Sequence, residues 1–409
     1  MEDLLELRRT AQDLSRAERW PEFLDLVPRL RGDEEFWASY WAPMAAIGAG
    51  LLGRPEKRRL LQDAIDAGFC QPEIFEPELT GVFGADEDWP ELLARMAANV
   101  PPPTLELLSW PTLTPMEPLE LFRLTADREE LLRARIPAPE PTAWATAQTL
   151  LRWVSTRWTH NNEHVDRPDA VELLDRVDAG ERFACSEYSI LLTQALNASG
   201  IPARQVGLRK ANHHTGMGGG HVVTEAWIDD LGRWVVLDGQ NGMFWSDVDG
   251  TPLGLLELMD RFHSGGPPSA IVCLAEPQTE AARTGWWMYF AAAYTTGAAW
   301  VEHGFVPMVD GRFYRSPRLI REASLAYPDL AELAVSIAVT DDVPLLRPHL
   351  RHPFATAVRV TDGDSGGEVP VDGGWPLRLS PAGDHHVELA VVTPFGVLRP
   401  AEIRYRTAE

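Results

Sequence analysis

Three residues between positions 180 and 245 have the types and surroundings that nucleophilic chemistry needs: Cys185, His221 and Asp238. A cysteine attacks a carbonyl as its thiolate, the thiolate needs a base to take its proton, and the base works best when a carboxylate fixes its orientation. Cys185 is followed by Ser186 and Glu187, which suit a first helical turn, and then by apolar residues at helical spacing, Tyr188, Leu191, Leu192 and Ala195, with Leu196 beside them. Gly200 is a natural stop and Pro202 prevents resumption. The spacing predicts a helix beginning at or just after Cys185, whose unpaired N–H groups and dipole favour thiolate over thiol.

His221 and Asp238 are related by a hairpin. HVVTEAWI (221–228) and RWVVLDG (233–239) are β-branched and aromatic, and Asp229-Asp230-Leu231-Gly232 reads as the tight turn between them. With four residues in the turn, Ile228 faces Arg233 and Val223 faces Asp238. His221 shares a strand face with Val223, so Asp238 becomes its diagonal neighbour across the hairpin. The spacing thus predicts a His–Asp pair. It does not by itself bring Cys185 to that pair.

The stretch resembles the transglutaminase-like superfamily: a cysteine at a helix N-terminus, a GIPAR segment (Gly200 to Arg204), then HVVTEAW (His221 to Trp227) and VVLD (Val235 to Asp238). The resemblance spans roughly 140 to 260. It implies a papain-like α+β core in which Cys185 is the nucleophile, His221 the base and acid, and Asp238 the residue that orients it. The chain departs from animal cross-linking transglutaminases, which have Gln before and Trp after the cysteine, where Ala184 and Ser186 stand here. It also has no calcium loop of alternating carboxylates. The broader superfamily includes peptidases, amidases and amide-forming enzymes.

The elements that must position these residues lie within a chain of 409 residues, too long for one ordinary core. Residues 1–103 read as an all-α, helical-repeat-like domain, with helical spacing at Leu4, Leu7, Ala11 and Leu14 and again through Leu60, Leu61, Ala64 and Ile65. This domain is read either as a protein-partner arm or as a domain that only packs on the enzyme core. Pro101-Pro102-Pro103 marks a linker, residues 104–330 are expected to form the catalytic domain, and residues 331–409 a small β-sandwich built from FATAVRVT (354–361), PLRLS (376–380), VELAVVT (387–393) and EIRYRT (402–407).

A net charge of −23 argues against a nucleic-acid backbone or an anionic membrane as the main partner. Cys70, Cys185 and Cys273 are too widely spaced for a disulfide framework and fit a reducing, cytoplasmic setting; the resemblance implies a bacterial member of the superfamily. The run Thr284 to Val301 carries no formal charge, but its Thr and Gly interruptions and lack of basic flanks read as a buried segment rather than a membrane span.

Further site candidates surround the three residues. Asn161, Asn162 and His164, with His160, are read as cleft residues and oxyanion donors; the competing reading is a solvated loop. KANHHTGMGGG (210–220) reads as a flap leading into His221. His213 and His214 lack the spacing of a zinc site, so no metal and no cofactor is expected. Glu225 shares His221's strand parity and is a candidate polar contact, or else a salt-bridge partner of Arg204. Trp227 is a core residue or a wall of the acyl pocket, and Gln240 a hydrogen-bonding residue near Asp238. The expected activity is acyl transfer through a thioester on a peptide, protein or small amide, completed by water or by an amine. The alternative is a non-catalytic binding or scaffold protein with a degenerate core of this type.

Overall fold

The computed structural model describes residues 2–33, 36–75, 83, 88–100, 105–111, 116–166, 168–211, 219–266, 270–275, 285–295, 298–300, 318–320, 323–340, 343–379 and 381–408. The described residues form two compact units, 1–104 and 105–407. The first is helical, with helices Glu2–Arg16, Trp20–Leu30, Ala42–Leu51, Lys57–Asp66 and Trp89–Ala98. Their apolar stripes meet in a core that includes Ala11, Phe23, Leu61, Phe75 and Met96. Asp33 is buried inside it, bound by the Arg8 guanidinium and by the Trp41 indole N–H at 2.8 Å.

The second unit is built on an eight-stranded sheet. Its order is 270–273, 243–246, 233–238, 220–228, 203–209, 292–295, 298–300 and 318–320, antiparallel except for the last pair. The helix Cys185–Ala198 is buried along nearly all of its length. That burial is why its polar residues all find partners: Ser189 Oγ donates to the Val223 carbonyl at 2.8 Å, and Thr193 meets Thr224 at 3.1 Å. The helix ends at Gly200, whose φ of +84° only glycine adopts without strain. Asn197 then clamps the GIPAR turn, accepting from the Ala203 N–H at 2.8 Å and donating to the Ala203 carbonyl at 3.1 Å.

Two clusters flank the sheet. One packs the helices Ala143–Ser155, Ala170–Asp178 and Cys185–Ala198 against Ala226, Val235 and Leu237. The other gathers Val223, Val236, Trp245, Leu258, Trp287 and Phe290. Trp287 and Phe290 come from the uncharged run read in the sequence, and Ala292–Thr295 and Ala298–Trp300 within it are strands of the core sheet. No helix among the described residues is long and apolar enough to cross a membrane.

The remaining strands form a six-stranded sheet and a three-stranded sheet around a shared apolar core that includes Val358, Leu389, Ile403 and Tyr405. Leu105–Ser109 pairs with Ala401–Thr407, so the start of the segment expected to open the catalytic domain belongs to this C-terminal sheet. Among the described residues of PLRLS only Pro376 lies in a strand, the short Trp375–Pro376. Leu333–Thr340 and Val343–Leu350, which the sequence does not mark as strands, form a hairpin. The second edge of Val343–Leu350 is paired only at Leu345 and Leu346, which is how the strand accommodates Pro344 and Pro348.

This module is joined to the core through the turn of the central hairpin. Asp229 accepts from Thr393 Oγ1 at 2.6 Å and from His352 Nε2 at 3.1 Å. His352 Nδ1 accepts from the Phe354 N–H, so the imidazole is the neutral tautomer that donates to Asp229. Pro394 lies against Gly200, close enough that a Cβ there would meet its Cγ at 2.9 Å, and Phe395 packs on the first cluster.

Candidate functional site

The hairpin has the predicted register: Ile228 pairs with Arg233 and Thr224 with Leu237. Continued by one pair, that register sets Val223 opposite Asp238 and His221 diagonal to it. His221 Nε2 meets Asp238 Oδ2 at 2.8 Å, with both side chains buried. The same carboxylate accepts from Asn241 twice, from its side-chain amide at 2.7 Å and from its backbone N–H at 3.1 Å. Asp238 therefore has a full set of donors and one fixed orientation.

Gly239 follows, packed so closely on the cysteine helix that a Cβ would stand 3.1 Å from the Tyr188 carbonyl oxygen. The strand that carries Asp238 and the helix that carries Cys185 are thus in direct contact.

Cys185 begins that helix after Ala184, which has extended φ and ψ and provides no side-chain cap. Its half-buried thiol lies close enough to the His221 ring and the Val222 N–H for both to act on its ionisation. With Nε2 on Asp238, Nδ1 is the ring nitrogen left to face the thiol. Burial alone would push the thiol pKa up; the bond and charge of His221 and the Val222 N–H outweigh it and hold the thiol below its usual range. For His221 burial opposes the cation, but the Asp238 charge and hydrogen bond, with Cys185 on the other nitrogen, raise the imidazolium pKa to about 10. Both directions favour a thiolate–imidazolium pair over a neutral one.

The aromatic residues against His221 come from a stretch whose part in the site the sequence does not reveal. Trp286 lies over the imidazole with centroids 4.4 Å apart and planes at 38°, and Tyr289 stands at 5.6 Å. They are more than sixty positions from His221, and no local pattern links them to it.

The other candidates are distributed differently. Asn161 and Asn162 have exposed side chains, and the Asn161 amide oxygen accepts from the Asn162 N–H at 2.7 Å. His164 meets Glu187 at 3.2 Å and Ser186 at 2.9 Å, next to Cys185 in sequence. His160 is near enough to His221 to feel its charge; burial first, then that charge, lowers its pKa. Glu225 is fully buried in an ion pair with Arg204 at 3.1 Å rather than in a cleft. The two face each other in the strand register, and Glu225 also accepts from the Leu255 N–H that opens the helix Leu255–His263. Trp227 packs with Trp234 and Leu330 in a small separate core. The polar residue on Asp238 is Asn241 rather than Gln240. Strand parity fails there because the chain turns at residues 239–242.

Residues 212–218, with His213, His214 and most of the expected flap, lie outside the described residues. Among the described residues, three possible metal-ligand atoms gather within 4.8 Å at His386, Glu388 and Glu402, remote in sequence from Cys185 on the C-terminal sheet. Glu402 there is already bound by Arg404 at 3.0 Å.

Comparison with known proteins agrees with the sequence resemblance. Residues 132–239 match the family model of the transglutaminase-like superfamily core. No curated protein matches the chain. Among solved structures, a red sea bream transglutaminase is similar at 13% identity and a TM-score of 0.23, over 66% of this chain and 55% of that one. This chain thus spans little more than half of that protein's length. Cys185, His221 and Asp238 all fall within the segment 132–239 that is similar to the transglutaminase-like superfamily core.

Proposed function

We propose that the protein is a cysteine-dependent acyltransferase or amidohydrolase that cleaves an amide through a thioester on Cys185. The observation that carries this reading is the continuous chain of contacts from the thiol to the buried His221 ring and on to Asp238 at 2.8 Å, with the thiol at a helix N-terminus.

In this reading His221 Nδ1 takes the thiol proton, and the thiolate attacks the amide carbonyl carbon. The oxyanion forms beside the N-terminus of the helix, where the Cys185 backbone N–H faces developing negative charge. The C–N bond then breaks as the imidazolium gives its proton to the leaving amine, which leaves a thioester. Water or a second amine attacks the thioester carbonyl, His221 takes its proton, and Cys185 departs as thiolate. Asp238 holds one imidazole orientation through the whole cycle and stabilises its cationic form. The helical unit and the C-terminal sandwich are appended modules, and the helical-repeat-like arm is where a protein partner would dock.

Hydroxylamine offers a direct test. Peptides and small amides incubated with the protein and hydroxylamine should give acyl hydroxamates, and Cys185→Ala should give none. Hydroxamate formation that persists in Cys185→Ala would overturn the reading.

A further inference from the structure

We infer that Trp286 is a positioning residue for this chemistry: its indole face lies on the His221 ring and favours the imidazolium over the neutral imidazole. The inference rests on the proposed role of His221 and adds a residue that neither the motif nor the matched segment 132–239 contains.

The geometry is specific. Nε2 of His221 is held by Asp238 and the thiol acts on the ring from its own side, which leaves the ring faces to be covered by other residues. Trp286 takes one of them, with centroids 4.4 Å apart. Indole carries the strongest negative face of any side chain, and a cation within about 6 Å of its centroid is attracted by it. Tyr289 packs beside both rings, 5.6 Å from the indole at 29° and 5.6 Å from the imidazole. The His221 side chain is only 3% exposed, so water screens this attraction little. The covering rings also keep water from competing for the His221–Asp238 bond.

Among the described residues, the charged and titratable groups around His221 are Cys185 and Asp238, Tyr289 with its ring centroid 5.6 Å away, His160 from the loop after Trp158, and Lys210, whose ammonium lies 4.5 Å from the Tyr289 ring. The His160 and Lys210 charges oppose the imidazolium. Asp238 and the two aromatic rings favour it.

The test is the rate of Cys185 alkylation by iodoacetamide against pH in the full chain. The rate rises where the thiolate–imidazolium pair forms. Trp286→Leu keeps apolar bulk but removes the π-face, and should move that rise to higher pH by about half a unit. Trp286→Phe keeps a ring and should move it by less than half as much. If the leucine variant does not fold, fluorinated tryptophans installed at position 286 drain the face without changing its shape, and the rise should move stepwise with the number of fluorines.

Profiles of Trp286→Leu or of the fluorinated series that superimpose on the wild type would overturn the inference, as would leucine and phenylalanine variants that shift equally. His221→Ala, measured alongside, separates the two claims. If His221→Ala shifts the profile and Trp286→Leu does not, only the role of Trp286 fails; if neither shifts it, the assignment of His221 fails as well.

Discussion

Replacing Asp238 by Asn tests the electrostatics of the site with the smallest change of shape. Asp238 is fully buried and accepts three hydrogen bonds, one from His221 and two from Asn241. An asparagine with its oxygen toward His221 and the Asn241 amide keeps two of them. Its NH2 then faces the Asn241 backbone N–H, one donor against another, which costs about 1–3 kcal/mol and leaves the fold intact. The charge is a different matter. An anion about 4 Å from a cation, at an effective dielectric constant of about 20, is worth roughly 4 kcal/mol. At about 1.4 kcal/mol per decade that attraction is about a thousandfold, and relief of the repulsion between Asp238 and the thiolate takes back part of it. The assay is the second-order rate of Cys185 alkylation near neutral pH, with peptide mapping to exclude Cys70 and Cys273 and circular dichroism to monitor the fold. The expected result is a fall of roughly one to two powers of ten with unchanged secondary structure. A folded Asp238→Asn protein whose Cys185 reacts at the wild-type rate would refute the reasoning.

Other outcomes follow from the same geometry. In the wild type, the formed pair holds one proton, as His221 and Cys185 together do in the unfolded chain between their ordinary pKa values, so the pair itself adds little pH dependence to stability there. Cys185→Ala leaves His221 raised by Asp238 and uncompensated. Its stabilising charge is fully present below about pH 6.5 and is lost as pH rises toward the folded value. Stability of Cys185→Ala, from urea titrations, should fall over that window by at most about 1.4 kcal/mol per pH unit, and a flat line would contradict the raised imidazolium. His352→Ala removes a buried donor from Asp229 and leaves a cavity between the C-terminal module and the hairpin turn. It should cost about 2–4 kcal/mol by chemical denaturation, whereas a change under about 0.5 kcal/mol would mean that the module is not fastened there.

The hairpin and the cysteine helix were legible because their information is local. A four-residue turn and period-two alternation fix which residues share a face, and they bring His221 to Asp238. The same parity misleads one turn further on, at Gln240, because the strand ends at Asp238 and the chain turns back to offer Asn241 instead. At Glu225 the reading that holds is the salt bridge, since the residue opposite in the register is Arg204. Trp286 was not legible at all: its contact with His221 is made by the fold, and in sequence it belongs to an uncharged run whose composition says only that it is buried. The C-terminal strands show the same limit. EIRYRT alternates cleanly and VELAVVT is a short β-branched run, whereas LAVSIAVT exposes most of its second half and VPLLRPHL carries two prolines.

The central claim is that His221 controls the ionisation of Cys185. The measurement that tests it most directly is the alkylation rate of Cys185 against pH in the wild type and in His221→Ala, and it requires no knowledge of the substrate. If the imidazole holds the thiol as its ion-pair partner, the wild-type rate rises at a pH below that of an ordinary thiol, and the His221→Ala profile moves to higher pH because only the helix terminus and the Val222 N–H remain to stabilise the thiolate. Superimposable profiles would contradict the account, because they would mean that His221 does not act on the thiol.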